Sequence, residues 1–350
     1  MNQVKINGIA VGANCPPYFV AELSGNHNRS LDRALELVRL ASKSGAQAVK
    51  LQTYTADTMT VDSDREEYVI NDKNSPWYKR RLYNLYEEAH TPWEWHEPIF
   101  NECKKLGITC FSSPFDRSAV DFLEKLDAPA FKIASFENNY DDLLEYTLAK
   151  GKPVIVSTGM ANLALIENIL KIAREVGNSD LLLLKCTSSY PAPPTEINLN
   201  TIPHLSQLAG VNVGLSDHTL GSGVAVASIA LGACFIEKHF TKKRADGGVD
   251  ASFSMEPEEF EDMVRQGTLA WQALGKINYK PTNKEINSQK FRRSLIAIKD
   301  IKKGDRLNAS NFAVLRPAIG LGPEYQKVFA KRTAKQTILK GDPLTWENTY

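Results

Sequence analysis

Cysteine is scarce in this chain, and its pattern is not that of a cross-linked or metal-stapled protein. The 350 residues hold five, Cys15, Cys103, Cys110, Cys186 and Cys234, none in a Cys-x-x-Cys pair. An odd number at wide spacings excludes a disulfide scaffold and a zinc ribbon, and points to a reduced, intracellular protein. No stretch approaches the length of uninterrupted apolar sequence that a membrane helix needs, so none is expected. The opening MNQVKING lacks the apolar core of a secretory signal. The cytoplasm is therefore the expected compartment. An excess of one charge is also missing, since 42 Lys and Arg balance 41 Asp and Glu for a net +1. That excludes a bulk basic protein built to coat nucleic acid, though not a local basic pocket. No Gly-x-Gly-x-x-Gly fingerprint occurs, which weighs against a dinucleotide-binding sheet.

What is present is the ordinary globular mixture, 43% hydrophobic and 24% charged. Eight short apolar runs recur: Tyr18–Ala21, Ala48–Leu51, Ile108–Phe111, Ala130–Ile133, Val154–Val156, Leu181–Leu184, Val211–Leu215 and Cys234–Glu237. Their lack of alternation suits strands buried on both faces. Segments of helical period separate them, as in Leu31–Lys43, Pro92–Leu106, Leu163–Val176 and Pro257–Leu274. Eight strand–helix units in about 275 residues have the size and rhythm of a (β/α)8 TIM barrel. An open doubly wound sheet is the alternative, and the equal units favour the barrel. The barrel is expected over residues 1–274, with an aromatic-rich insertion at 53–90. A long loop after a barrel strand lies on the catalytic face, so this insertion either shapes a pocket or forms its own solvated cluster. Apolar periodicity vanishes over 275–293, which reads as a linker. Residues 294–350 read as a small, mostly β domain, punctuated by the similar phrases IKKGDRL and ILKGDPL.

In such a barrel the strand ends face the active site. Here they carry Glu22, Lys50, Gln52, Ser112, Ser113, Lys132, Ser135, Ser157, Ser188, Tyr190, Ser216, Asp217, His218, Glu237, Lys238 and His239. Buried ammonium groups need compensating negative charge, and a ligand is one source of it. Lysines with serine hydroxyls suit phosphate and carboxylate oxygens, so a small phosphorylated acid is the expected substrate class. His218 and His239 close adjacent strands. Two converging imidazoles suit an open, catalytic divalent-metal site, or else each is a satisfied core histidine. A lysine could instead form a Schiff base. Glu22 is either a general acid or base or a structural partner of Lys50 or Lys132.

Six phrases together carry a resemblance: AELSGNHN (Ala21–Asn28), VKLQT (Val49–Thr53), FKIAS (Phe131–Ser135), VSTGM (Val156–Met160), GLSDHT (Gly214–Thr219) and EKHFT (Glu237–Thr241). They resemble the sialic acid synthase family, the phosphoenolpyruvate-condensing nonulosonate synthases. The C-terminal part resembles the antifreeze-like, or SAF, domain that ends those enzymes. AHTPWEWH (Ala89–His96) and RADGGVDASFSMEP (Arg244–Pro257) resemble the pseudaminic acid branch. Val249 stands where the sialic acid branch tends to have proline, and Ser188 where it often has asparagine.

The resemblance implies a transferase that condenses phosphoenolpyruvate with 2,4-diacetamido-2,4,6-trideoxy-L-altrose and releases phosphate by C–O cleavage. Sialic or legionaminic acid synthesis is the near alternative, and a non-enzymatic ligand-binding protein the distant one. It also implies roles. Lys50, Ser113, Lys132, Ser135, Ser157, Ser188 and Ser216 would hold phosphoenolpyruvate. Gln52, Tyr190, Asp250 and Arg316 would face the sugar, and His218 and His239 would bind Mn2+ or Mg2+. Glu22, Lys50 and Lys132 would be catalytic. A domain-swapped homodimer is implied as well, with Arg316 supplied by the small domain of the second copy.

Overall fold

The first element forms where alternating residues flank Asn7-Gly8, the strongest short-range hairpin signal. Val4–Ile6 (β1) and Ile9–Val11 (β2) pair antiparallel across that turn. The computed structural model describes residues 3–350. After the hairpin come eight parallel strands. They are β3 (Tyr18–Glu22), β4 (Ala48–Thr53), β5 (Thr109–Pro114), β6 (Phe131–Ile133), β7 (Val154–Ser157), β8 (Leu181–Cys186), β9 (Asn212–Asp217) and β10 (Phe235–His239). They close in sequence order, with β10 hydrogen-bonded to both β9 and β3. The barrel alternative is therefore the correct one.

The intervening helices are α1 (Leu31–Lys43), α2 (Ala56–Met59) and α3 (Leu82–Ala89) in and around the insertion, then α4 (Trp93–Leu106), α5 (Arg117–Lys125), α6 (Asp141–Leu148), α7 (Leu163–Val176), α8 (Thr201–Ala209), α9 (Gly223–Ala230) and α10 (Pro257–Leu274). Side-chain caps start several of them. Ser30 accepts from Arg33 N, Asp116 from Ala119 N and Asn162 from Leu165 N, each satisfying one orphan amide of a first turn.

Strand alternation splits the apolar residues between two cores. Val49, Leu51, Phe131, Ile133, Leu181, Leu183 and Ile236 point outward and pack under the helices. Ala48, Phe111, Ala130, Ile155, Leu182, Leu184 and Phe235 point inward and fill the barrel. Val4, Ile6 and Val11 of the hairpin join this inner cluster. The barrel is thus a filled core with only its C-terminal mouth left for polar side chains. Gly214 on β9 is required by close packing: a Cβ there would lie 2.4 Å from Phe235 O.

Residues 276–350 form a second unit. It holds α11 (Asn283–Ser288), β11 (Ser294–Ala297), β12 (Phe312–Leu315) and α12 (Gln326–Phe329). Strands β11 and β12 pair antiparallel. The two similar phrases meet here, with Ile301 and Ile338 exchanging backbone hydrogen bonds of 2.8 and 2.9 Å. Each phrase makes the same turn: Asp305 Oδ2 accepts from Lys302 N, and Asp342 Oδ2 from Leu339 N, both at 2.9 Å. Leu307 and Leu344, one from each phrase, are buried in the unit's core. Ala334 and Ile338 make isolated bridges, to Thr349 and Ile301, rather than a strand. Residues 275–293 are not structureless, since Thr282 and Glu285 form a reciprocal capping box that starts α11.

Candidate active site

Register decides which side chains meet in the mouth. Lys50 on β4 stands opposite Glu22 on β3, and Glu237 on β10 opposite Ser216 on β9. All are inward-facing and buried. Lys50 Nζ lies 3.1 Å from Glu22 Oε2 and 3.2 Å from Glu237 Oε1, and donates to Ser113 Oγ at 3.3 Å. Gln52 Nε2 donates to Glu22 Oε1 at 2.8 Å. Lys132, two strands away on β6, is 1% exposed and donates to Ser157 Oγ at 2.6 Å and Ile133 O at 3.1 Å. Among the described residues it makes no ion pair. Ser135 and Ser188 approach Gly159 so closely that a Cβ there would lie 2.5 Å and 2.3 Å from their hydroxyl oxygens. Glycine in VSTGM is therefore a condition for the hydroxyl ring.

The two lysines are electrostatically unlike. Burial opposes charge on Lys50, but Glu22 and Glu237 overcome it and hold its pKa above the ordinary lysine value. Burial wins at Lys132, whose pKa falls to about 8 despite the more distant Glu237. Burial also lifts Glu22 to about 7, against the pull of Lys50 and helped by Glu237. Glu137 rises to about 7 from burial, with Lys132 pulling the other way. Glu137 Oε2 is buried without a hydrogen-bond partner.

The histidines form the other half of the mouth. His218 and His239 rings lie 5.4 Å apart. His218 Nδ1–H donates to Thr187 O at 2.9 Å, which leaves Nε2 with its lone pair free. His239 Nδ1 is buried with no hydrogen-bond partner, 3.8 Å from Asp250 Oδ2. Burial and the neighbouring His218 push the His239 pKa far down, so it is neutral. At His218 burial is outweighed by the neighbouring Cys186, which raises the pKa. With His218 deprotonated, the pair fits a divalent ion that completes its shell with water or substrate oxygens. Among the described residues no group of three or more His, Cys, Asp and Glu converges as a closed metal set. Around the pair stands an aromatic wall. Tyr190 packs on His218 at 4.3 Å, Phe253 on His239 at 5.0 Å, and Trp77 on Tyr190 at 5.5 Å.

The model of the NeuB family matches residues 37–279, and that of the SAF domain residues 292–348. The chain belongs to the NeuB family. It is 44% identical to pseudaminic acid synthase from Campylobacter jejuni over 93% of this chain and 95% of that one. It is 35% identical to N,N'-diacetyllegionaminic acid synthase from Legionella pneumophila, over 98% of each chain. Among solved structures it resembles N-acetylneuraminic acid synthetase from Leptospira borgpetersenii, with TM-score 0.73 and 28% identity. That match covers 82% of this chain and 95% of the other. Among the described residues no helix is long and apolar enough to cross a membrane.

In this NeuB-family chain the mouth differs from the sequence expectation at several points. Lys238 and Asp217 point away from it and pair with each other at 2.7 Å behind the sheet. Ser112 also faces outward, bonded to Thr53 Oγ1 at 2.6 Å. The charge balancing Lys50 comes from the protein itself, so only Lys132 is left for a ligand to balance. Three further side chains contribute to the mouth. Glu237 appeared only as one of many strand-end residues, and alternation from His239 marks it as inward-facing. Glu137 follows Lys132 by five positions, on a loop whose course no periodicity reports. Cys186 faces the mouth beside Ser188, 3.8 Å away, two places along from inward Leu184. Arg316 is exposed on the second unit, so within that unit it belongs to no cluster.

Proposed function

We propose that this chain is a pseudaminic acid synthase, condensing phosphoenolpyruvate with 2,4-diacetamido-2,4,6-trideoxy-L-altrose. The observation that carries the reading is Lys132, a buried ammonium that forms no ion pair and donates to Ser157, in a mouth where Ser135 and Ser188 meet at Gly159 and a histidine pair stands open. Such a centre is electrostatically incomplete until an anion with several oxygens enters. The choice of acceptor is supported by the higher identity to the pseudaminic than to the legionaminic relative.

In this reading Lys132 and the hydroxyls hold the phosphate and carboxylate of phosphoenolpyruvate. Lys50, already shared by two carboxylates, orients the enol rather than supplying spare charge. His218 and His239 would hold Mn2+ or Mg2+, and when bound such an ion supplies Lewis-acid polarisation of the acceptor aldehyde. Gln52, Tyr190 and Asp250 face the sugar. Carbon 3 of phosphoenolpyruvate bonds to the aldehyde carbon, water adds at carbon 2, and C–O cleavage then expels phosphate. Glu22 and Glu137, both near pH 7 in affinity for a proton, suit removal of the proton from that water. The active assembly is a domain-swapped homodimer in which Arg316 of the partner subunit reaches the sugar.

The test is phosphate release from phosphoenolpyruvate with two acceptors side by side, the altrose sugar and N-acetylmannosamine, each with and without EDTA. EDTA-sensitive release with the altrose sugar alone is expected. Release with N-acetylmannosamine instead keeps the chemistry and overturns the acceptor.

A further inference from the structure

Trp77, from the insertion, packs directly on the aromatic wall of the mouth. Trp77 Nε1–H donates to Val249 O at 2.8 Å, one residue before Asp250. Its ring packs on Tyr190 at 5.5 Å and on Phe253 at 6.1 Å. Tyr190 and Phe253 in turn lie against His218 and His239. The rings therefore run in sequence from the histidine pair through Tyr190 and Phe253 to Trp77, which is half-buried. An acceptor whose aldehyde points at the histidines extends its far end toward Trp77.

Indole has one hydrogen-bond donor and no acceptor. Val249 O occupies that donor. Phe253, below it, is buried and has no polar atom. At Trp77 and Phe253 the wall thus offers ring surface to a methyl group and no free hydrogen-bond partner to a hydroxyl. A buried hydroxyl without a partner is penalised, whereas a methyl against an aromatic face is favoured.

We infer that Trp77 determines acceptor specificity, selecting a sugar whose far end is a methyl group and rejecting one that carries a hydroxyl there. This rests on the acceptor assigned above. The hydrogen bond to Val249 O gives Trp77 a second task, holding the loop that carries Asp250. That loop is also fixed at Asn26, whose Oδ1 accepts from Asp250 N at 3.2 Å and whose Nδ2 donates to Phe240 O at 3.0 Å. Loss of the indole N–H alone therefore leaves the loop pinned.

The experiment measures kcat/KM for the 6-deoxy acceptor and for the same sugar bearing a 6-hydroxyl, in wild type, Trp77→Phe and Trp77→Ala. Wild type is expected to prefer the deoxy sugar by about tenfold or more, the size of preference set by one unpaired hydroxyl. Trp77→Ala is expected to reduce that ratio at least fivefold, while the KM for phosphoenolpyruvate stays within twofold. Trp77→Phe, which keeps a ring face, is expected to retain most of the preference. A merely structural role lowers both acceptors equally, and an unchanged ratio in Trp77→Ala overturns the inference. Wild type that turns over the hydroxylated sugar as well as the deoxy one overturns the acceptor assignment itself, before any variant is compared.

Discussion

Replacing Lys50 and Lys132 separately with methionine removes the same charge from two buried sites, and the two changes have unequal consequences for stability. Lys132 has no ion pair, and burial lowers its pKa from 10.5 to about 8, a penalty of about 3 kcal/mol on its charged form. Lys132→Met removes that penalty. It also withdraws a donor from Ser157 Oγ and Ile133 O, at about 1–3 kcal/mol. The free variant is therefore expected to melt close to the wild type. Lys50→Met instead leaves Glu22 and Glu237 buried without their cation, which costs about 3–5 kcal/mol. At about 2–4 °C per kcal/mol, its melting point is expected to fall by roughly 10 °C.

The ligand reverses the ranking. Lys132→Met is expected to weaken phosphoenolpyruvate binding by about thirtyfold or more, the cost of losing one desolvated charge-assisted contact. The sign of the pH dependence also follows. The folded pKa of Lys132 lies below its unfolded value, so between about pH 8 and 10.5 the unfolded chain binds more protons. The wild type should gain stability as pH rises through that window, and Lys132→Met should lack this gain. Phosphoenolpyruvate restores the proton, so its binding should weaken above pH 8 and take up a proton there. Denaturant melts at pH 7 and pH 9.5 and calorimetric titration in two buffers measure both. Equal destabilisation by the two substitutions refutes the reasoning.

Glu137→Gln is expected to lower kcat by about a hundredfold or more, with the dissociation constant for phosphoenolpyruvate nearly unchanged; if Glu22→Gln alone does this and Glu137→Gln does not, the proton acceptor is Glu22. His218→Ala or His239→Ala should each weaken Mn2+ binding, measured by titration, and abolish EDTA-sensitive turnover; full binding in both removes the metal assignment. Gly159→Ala should raise the KM for phosphoenolpyruvate about tenfold at nearly unchanged melting temperature, because its methyl displaces Ser135 and Ser188. Gly214→Ala, which meets Phe235 O, should lower the melting temperature instead. Co-expressing Arg316→Ala with Lys132→Met should recover activity that neither has alone, since a swapped dimer rebuilds one intact site; no recovery contradicts the swap.

Much of the barrel was legible because its strands are buried on both faces and read as unbroken apolar runs between helices of clear period. Those runs also placed Lys50, Lys132 and the serines at strand ends. Which neighbours faced the same way was less legible. Asp217 and Lys238 sit one residue from His218 and His239, and the pleat sends them to the opposite side. Glu137 was hidden because it lies on a loop, where backbone course depends on tertiary contacts such as Asn138 Nδ2 to Ser157 O and Gly159 O. Trp77 stood out in the insertion only as one of several aromatics. Its bond to Val249 O spans 172 positions of sequence, a separation no local pattern reports. The hairpin plug was signalled by Asn7-Gly8, and α11 by its capping box; both signals are short enough to be lost beside the strand–helix rhythm.

The most direct test of the central claim follows the atoms. Phosphoenolpyruvate carrying heavy oxygen at the bridging position is incubated with the enzyme, Mn2+ and 2,4-diacetamido-2,4,6-trideoxy-L-altrose, and the products are weighed by mass spectrometry. The account predicts that the label leaves in the phosphate and that the condensed acid has the mass of pseudaminic acid with unlabelled oxygen at carbon 2. Label retained in the acid, or phosphate released without any condensed acid, contradicts it.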